Sequence, residues 1–258
     1  MLFCADIGNE VISFGVFEGE RLCFTSRVGA SREKCADEYA VILQSIFRMY
    51  DCDPGKAEGA VLSSVVKPLN HVFSEAVEKL CGVHPLLVGP GVRTGLNIKT
   101  DSPAQLGGDI AANCVAAQYL AKPPMAVLDL GTATTLTLID SKSQLSGVLI
   151  CPGVQSALEA LSNTTAELPA ISLEPPKALL GKNTVDSMNS GVIYGAAAMV
   201  DGLLERMQEQ CGGENLSIVA TGSLAGAVLP YCRKEIHLVP DLVLHGLRRI
   251  YELNRRKR

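Results

Sequence analysis

Apolar and polar positions alternate from the first residue, and this predicts three strands over residues 1–28 with turns at Gly8-Asn9-Glu10 and Glu18-Gly19-Glu20. The period then lengthens. Tyr39, Ile42, Leu43, Ile46, Phe47 and Tyr50 recur at helical spacing over 33–50. The unbroken apolar run Ala60 to Val66 reads as a buried strand, Leu69 to Leu80 as a helix, and Pro85 to Val88 as a short strand. Gly89 to Pro103 reads as a loop, and Ala104 to Leu120 as a helix stopped by Pro123-Pro124.

The second half follows the same order. Strands are expected at 125–130, 133–139 and 145–151, with a helix starting over Gly153 to Leu161. Leu168 to Leu180 carries three prolines and reads as loop. Ser187 to Gln210 reads as a long helix lightly interrupted by Gly191, Gly195 and Gly202, and Ser217 to Thr221 as a strand running into Gly222. Pro240 to Leu253 reads as a closing helix with proline in its first turn. Strands precede helices in both halves, so the class is α/β. The double proline suggests domains over 1–122 and 123–258, with the last helix a candidate to pack back on the first.

Asp6-Ile7-Gly8 and Asp129-Leu130-Gly131 end the first strand of each half, 123 residues apart. A carboxylate at a strand end can hold hydrated Mg²⁺, and a glycine beside it admits phosphate to backbone N–H groups. One Asp-x-Gly between strands is also what an ordinary hairpin turn looks like. Two copies half a chain apart suggest duplicated domains that grip a nucleotide polyphosphate.

Other short motifs carry two readings each. Asp109, in Gly107-Gly108-Asp109-Ile110, is either a helix N-cap or a general base for a substrate hydroxyl. Gly147 to Gly153 ends in a Pro-Gly turn that could approach a ligand at a helix start. Gly181-Lys182-Asn183-Thr184 offers a cap at Asn183 or Thr184, and Thr221-Gly222 a glycine turn for an adenine or ribose. Three patterns are set aside. Gly89 to Gly95 has its third glycine one residue late for a dinucleotide loop, Gly181-Lys182 lacks the rest of a P-loop, and Ser31-Arg32-Glu33-Lys34 reads as a helix cap.

A net charge of −4 argues against a broad nucleic-acid face, and the basic tail Arg255 to Arg258 reads as a solvated helix end. Nine cysteines without Cys-x-x-Cys or zinc spacing read as free thiols in a reducing cytoplasm; no signal-peptide pattern is expected, nor a membrane span. Histidines 71, 84, 237 and 245 are scattered and suggest no metal site.

Taken in order, the motifs resemble the type III pantothenate kinases, of the acetate kinase, sugar kinase, Hsp70 and actin superfamily. The resemblance rests on Asp6-Ile7-Gly8-Asn9, Ser63-Ser64-Val65-Val66, Pro103 with Gly107-Gly108-Asp109, and Asp129 to Thr134. It continues through Cys151-Pro152-Gly153, Leu168-Pro169, Gly181 with Asn183-Thr184, Ser187, Gly191, Gly195, Ala220-Thr221-Gly222 and Pro240-Asp241-Leu242. It implies two RNase H-like domains around a nucleotide cleft, a homodimer, and ATP-dependent phosphorylation of pantothenate, the first step toward coenzyme A. It implies ATP, Mg²⁺ and a monovalent cation, K⁺ or NH₄⁺, as cofactors. Asp6 would meet Mg²⁺ and, with Gly8, Asn9 and Glu10, the ATP phosphates; Gly131, Thr132, Thr221 and Gly222 would also face ATP. Asp129 would hold the monovalent cation, and Asp109 would be the base. Thr100, Gly107, Gly108, Ile110 and Thr184 fall at substrate positions, Thr184 across the dimer interface.

Three positions depart from the family pattern. Glu10 stands where a threonine is usual, Ile110 where an arginine follows the aspartate, and Thr100 where the pocket has a tyrosine. All three touch ligand positions, so two readings follow. One is a working pantothenate kinase with a rebuilt site. The other is an altered or inactive paralogue that binds nucleotide as a regulator, as in family members described as accessory factors for transcription, or that phosphorylates another small hydroxylated molecule.

Overall fold

The computed structural model describes residues 1–255, so most of the basic tail, Arg256-Lys257-Arg258, lies outside the described residues. The chain divides into two compact units and not by a single cut. One comprises Met1–Leu96, Asp101–Ala117 and the chain from Asp241 onward; the other comprises Asn97–Thr100 and Gln118–Pro240.

The first unit is built on a strand meander. β1 (Leu2–Ile7) turns at Gly8 into antiparallel β2 (Val11–Glu18), which turns at Gly19 into antiparallel β3 (Arg21–Gly29). The Gly8 N–H donates to the Val11 carbonyl at 3.0 Å, and a Cβ on Gly8 would stand 2.9 Å from that oxygen, so the turn excludes a side chain there. β4 (Gly59–Ser64) lies parallel to β1 on its other side, and β5 (Leu86–Leu87) parallel to β4, giving the order β3-β2-β1-β4-β5.

The strand period of two sorts side chains to two faces. Phe3, Ala5, Ile7, Phe14 and Leu62 face α1 (Ala36–Met49) and α2 (Lys67–Cys81), from which Tyr39, Leu43, Phe47, Leu69 and Phe73 return. Burying each such side chain stabilises by about 1.5–3 kcal/mol. Cys4, Val61 and Val88 face the opposite way, toward Ala112 and Val115 of α3 (Gly108–Leu120) and Leu244, Leu247 and Ile250 of α7 (Leu242–Asn254).

The second unit repeats this plan. β7 (Met125–Leu130), β8 (Ala133–Ile139) and β9 (Gln144–Pro152) form an antiparallel meander. β10 (Ser217–Thr221) pairs parallel with β7, and β11 (His237–Leu238) with β10. The order β11-β10-β7-β8-β9 is that of the first sheet, and β6 (Asn97–Ile98) adds a sixth strand on β9. Leu128, Leu130, Leu136 and Leu138 pack under α4 (Val154–Thr164), α5 (Thr184–Gln210) and α6 (Ala225–Val228). Both units thus have the RNase H-like arrangement expected of the α/β class.

Five local expectations are corrected. The stretch 89–103 is not all loop, because Asn97 and Ile98 pair with Gln144 and Leu145. The helix expected from Ala104 starts at Gly108: Pro103–Gln105 is a single 3₁₀ turn, and the extended backbone of Leu106 interrupts it. The long helix begins at Thr184 and not at Ser187, since Asn183 accepts the Asp186 N–H at 2.8 Å and caps it. Pro240 is not in the last helix. The Val239 N–H pairs with the Ala220 carbonyl, and Asp241 reverses the chain in a left-handed conformation (φ 54°) before α7 starts. The residues around Ser31 do not cap α1 either: Cys35 precedes it, and its N–H donates to Glu38 at 2.8 Å.

The last helix is fastened to the first unit by backbone proximity. A Cβ on Gly246 would stand 1.8 Å from the Ala112 carbonyl oxygen, and one on Gly59 1.9 Å from the Tyr251 hydroxyl. Asn254 accepts from the Arg93 N–H at 3.1 Å and donates to its carbonyl at 2.7 Å. Gly246→Ala should therefore cost at least about 2 kcal/mol, the upper part of the usual overpacking range, read as a lowered urea midpoint with unchanged slope.

Candidate active site

Asp6 is the fifth residue of β1 and lies in register with Ser63, the fifth residue of β4. Its odd-numbered partners on β4 and its even-numbered neighbours on β1 face α3 and α7. Ser63 is fully buried, and its hydroxyl donates to Asp6 Oδ1 at 2.6 Å. That is a short, well-formed hydrogen bond. Asn9 and Glu10, in the turn that follows, are exposed, and the Glu10 carbonyl accepts from Ala30.

α3 brings Asp109 to the same place. The Gly107 carbonyl accepts the Ala111 N–H at 3.0 Å, so Gly107 caps the helix and Asp109 sits inside its first turn; Asp109 is not the N-cap. A Cβ on Gly107 would stand 2.3 Å from Asp109 Oδ1, and one on Gly108 would stand 3.2 Å from Ser63 Cβ and 3.4 Å from the Val88 carbonyl. The two glycines let the helix end rest on β4 and leave space for the carboxylate. Asp6, Ser63, Gly108 and Asp109 form one continuous group within the first unit.

Asp109 Oδ1 is wholly buried and accepts no hydrogen bond. Burial raises the Asp109 carboxyl above its ordinary range, the backbone N–H groups of Ile110 and Asp109 oppose this, and no charged side chain takes part. Ile110 lies alongside: its Cδ1 is 3.7 Å from the same point a Gly107 Cβ would occupy.

The second unit holds the matching group. Asp129, fifth in β7, is in register with Thr221, fifth in β10 and buried. The Gly131 N–H donates to the Ala133 carbonyl at 3.2 Å, so this second acidic motif is also a tight hairpin. Gly222 (φ 106°) passes so close to β7 that a Cβ would stand 2.5 Å from Leu130 backbone, and a Cβ on Gly153 would stand 2.1 Å from the Thr132 carbonyl. Close backbone approach thus explains these two glycines. The side chain of Thr132 is on an exposed residue, while its carbonyl accepts from Ser156 at 3.1 Å.

Thr184 opens α5, exposed, at a shallow cavity of about 610 Å³ lined by Leu161, Gly181, Lys182, Asn183, Ser187 and Met188 among others. Thr100 follows β6, and its hydroxyl is buried with no hydrogen-bond partner. Sequence reasoning gave Ser63 no role. Its signal was a hydroxyl at the end of an apolar strand, at the same strand position as Asp6. Among the described residues no three His, Cys, Asp or Glu side chains converge as a metal cluster, the nine cysteines are free, and no helix is long and apolar enough to cross a membrane.

The sequence model of the family described as type III pantothenate kinase matches residues 2–206. The chain belongs to this family. It is 40% identical over 255 residues to the type III pantothenate kinase of Shouchella clausii, covering 98% of this chain and 100% of the relative. It is 41% identical over 254 residues to that of Moorella thermoacetica, with the same coverage. Among solved structures, a Baf family transcriptional activator from Campylobacter jejuni superposes with a TM-score of 0.61 at 18% identity, covering 98% of both chains. The activator of 2-hydroxyisocaproyl-CoA dehydratase from Clostridium difficile, with bound ADPNP, gives 0.60 at 11%, covering 100% of this chain and 98% of that one. These two likenesses establish the fold.

The state of Asp109 can be read from stability. The folded chain binds its proton more tightly than the unfolded chain does. Stability is therefore lost as pH rises from the ordinary carboxylate range through the raised value, and the loss persists above it. Asp109→Asn should melt higher than the parent at about pH 7.5, and the difference should shrink toward its low-pH limit at about pH 3, below the ordinary aspartate pKa, where Asp109 is protonated in both states.

Proposed function

We propose that this chain transfers the γ-phosphoryl group of ATP to the hydroxyl of pantothenate, the first step toward coenzyme A. The observation that carries this reading is the buried, donorless Oδ1 of Asp109 at the first turn of α3. A carboxylate in that setting lacks only a hydroxyl donor. An acceptor hydroxyl supplies one, and Asp109 takes its proton as the oxygen attacks phosphorus. Its raised proton affinity makes it a stronger base than an exposed aspartate, provided the pH keeps it ionised.

Phosphoryl transfer depends on positioning and charge neutralisation more than on covalent help. Asp6, held by Ser63, faces Mg²⁺ and the phosphates with the Gly8–Asn9 turn. One carboxylate suits Mg²⁺, which binds through one or two carboxylates plus phosphate and keeps its waters, so the lack of a three-ligand cluster among the described residues fits. When bound, the ion neutralises phosphate charge. Asp129 holds the monovalent cation, K⁺ or NH₄⁺, Gly131 and Thr132 meet ATP phosphate, and Thr221 and Gly222 line the nucleotide. Thr184 and Thr100 contact the acceptor, Thr184 from the second subunit of a cytoplasmic homodimer.

One observation favours a second reading, a nucleotide-binding regulator or a kinase for another hydroxylated molecule: no charged side chain acts on Asp109, and Ile110 fills the flank where the family has arginine. The two readings separate in one assay. Purified protein with ATP, Mg²⁺, K⁺ and pantothenate should form phosphopantothenate, and Asp109→Asn should lower kcat by about 10²- to 10⁴-fold. Nucleotide binding without turnover on any pantothenate analogue would support the second reading, which predicts gain of activity on joint Ile110→Arg and Glu10→Thr substitution.

A further inference from the structure

A hydroxyl group in the middle of a buried strand needs a reason. Ser63 follows Ala60, Val61 and Leu62, all fully buried, and is itself fully buried. Leaving its hydroxyl unpaired would cost free energy, and an alanine would fill the position without that demand. The hydroxyl instead donates to Asp6 Oδ1 at 2.6 Å. This bond fixes the rotation of the Asp6 carboxylate about its Cβ–Cγ axis, which in a solvated aspartate is broad. The other side of Ser63 carries the first turn of α3, at Gly108.

A hydroxyl residue stands at the matching register in the second unit. Thr221 takes the place of Ser63, at the fifth position of the parallel neighbour of the central strand, buried, and in register with Asp129. Strands that otherwise share few residues keep a hydroxyl opposite the aspartate in both halves.

We propose that Ser63 is a positioning residue for nucleotide binding, holding the Asp6 carboxylate in the one orientation that receives the Mg²⁺–triphosphate group. The inference rests on the reading of Asp6 given above. Its reach is specific: Ser63 acts on the metal-supported part of nucleotide affinity and not on proton removal by Asp109.

The test is calorimetric titration of the full chain with AMP-PNP, with Mg²⁺ and again in EDTA, for the parent, Ser63→Ala, Ser63→Cys and Asp6→Asn. Ser63→Cys keeps the side-chain volume with a weak donor, so it reports on the hydrogen bond even where the alanine variant folds poorly. Both Ser63 variants should weaken the Mg²⁺-supported Kd by about tenfold while leaving the metal-free Kd within about twofold, since a bond to a charged acceptor is lost. In turnover, KM for MgATP should rise while KM for pantothenate stays within about threefold, the split expected of a residue that touches neither reacting oxygen. If Asp6→Asn weakens Mg²⁺-supported binding and the folded Ser63 variants bind like the parent, the inference is overturned and the reading of Asp6 stands. If Asp6→Asn itself binds like the parent, both fall.

Discussion

The first turn of α3 rests on β4 with no side chain between them. Gly107 and Gly108 make this possible, since a methyl group at either position would collide with the Asp109 carboxylate or crowd Ser63 and the Val88 carbonyl. That close approach sets the rest of the first unit's chemistry. It brings Gly108, next to Asp109, against a serine already bound to Asp6, and one Asp109 carboxyl oxygen is enclosed. It also lets Ala112, one turn along, lie against Gly246 of α7, so the last helix seats the helix that carries Asp109. A helix held on both sides by backbone contact has little room to shift, and a base that must meet a hydroxyl within hydrogen-bond distance gains from that.

Duplication explains why so much of the second unit looks familiar and so little of it is identical. Both central strands carry aspartate fifth, both turn through a glycine N–H bonded back to the next strand, and both aspartates lie in register with a hydroxyl residue of the parallel neighbour. The glycines differ in their reasons. Gly8 is compelled by the Val11 carbonyl, whereas Gly131 has room around its Cβ position, 3.5 Å or more from its neighbours. Room beside Gly131 is consistent with a position kept open for a ligand oxygen, in line with the phosphate role proposed for that turn.

Most of this order could be read before any coordinates, because strand and helix periods are local and the repeated acidic turn is short. β1 to β4, β7 to β10 and α1 to α5 and α7 lie close to where periodicity puts them, whereas the short α6 was not expected. What could not be read was long-range. Asn97 and Ile98 become a strand only because β9 offers an edge some 47 residues later. Pro240 looks like a helix start, yet the bond from Val239 to Ala220 keeps it extended. The role of Ser63 needed the register of β1 against β4, which no sequence window contains. Asp109 was legible as a choice between cap and chemistry, and Gly107, not Asp109, takes the cap position.

The departure at Ile110 acquires a physical meaning from the same geometry. A cation beside a carboxylate stabilises its charged form and holds its proton affinity down; an alkyl side chain in that place does neither. Asp109 is consequently left to burial, which raises it, and to backbone N–H groups, which compensate in part. Such a base binds a proton more strongly and is ionised over a narrower range of pH. On the proposed reading, an isoleucine in place of arginine would remove a partner for substrate charge while leaving Asp109 a stronger proton acceptor. Proton acceptance and recognition of the acceptor's charge are separable tasks, and Ile110 bears on them in opposite directions. On the roles proposed for them, a chain that keeps Asp6, Asp109, Asp129 and Thr132 while changing Ile110 would retain the groups for transfer and alter the terms on which an acceptor is held.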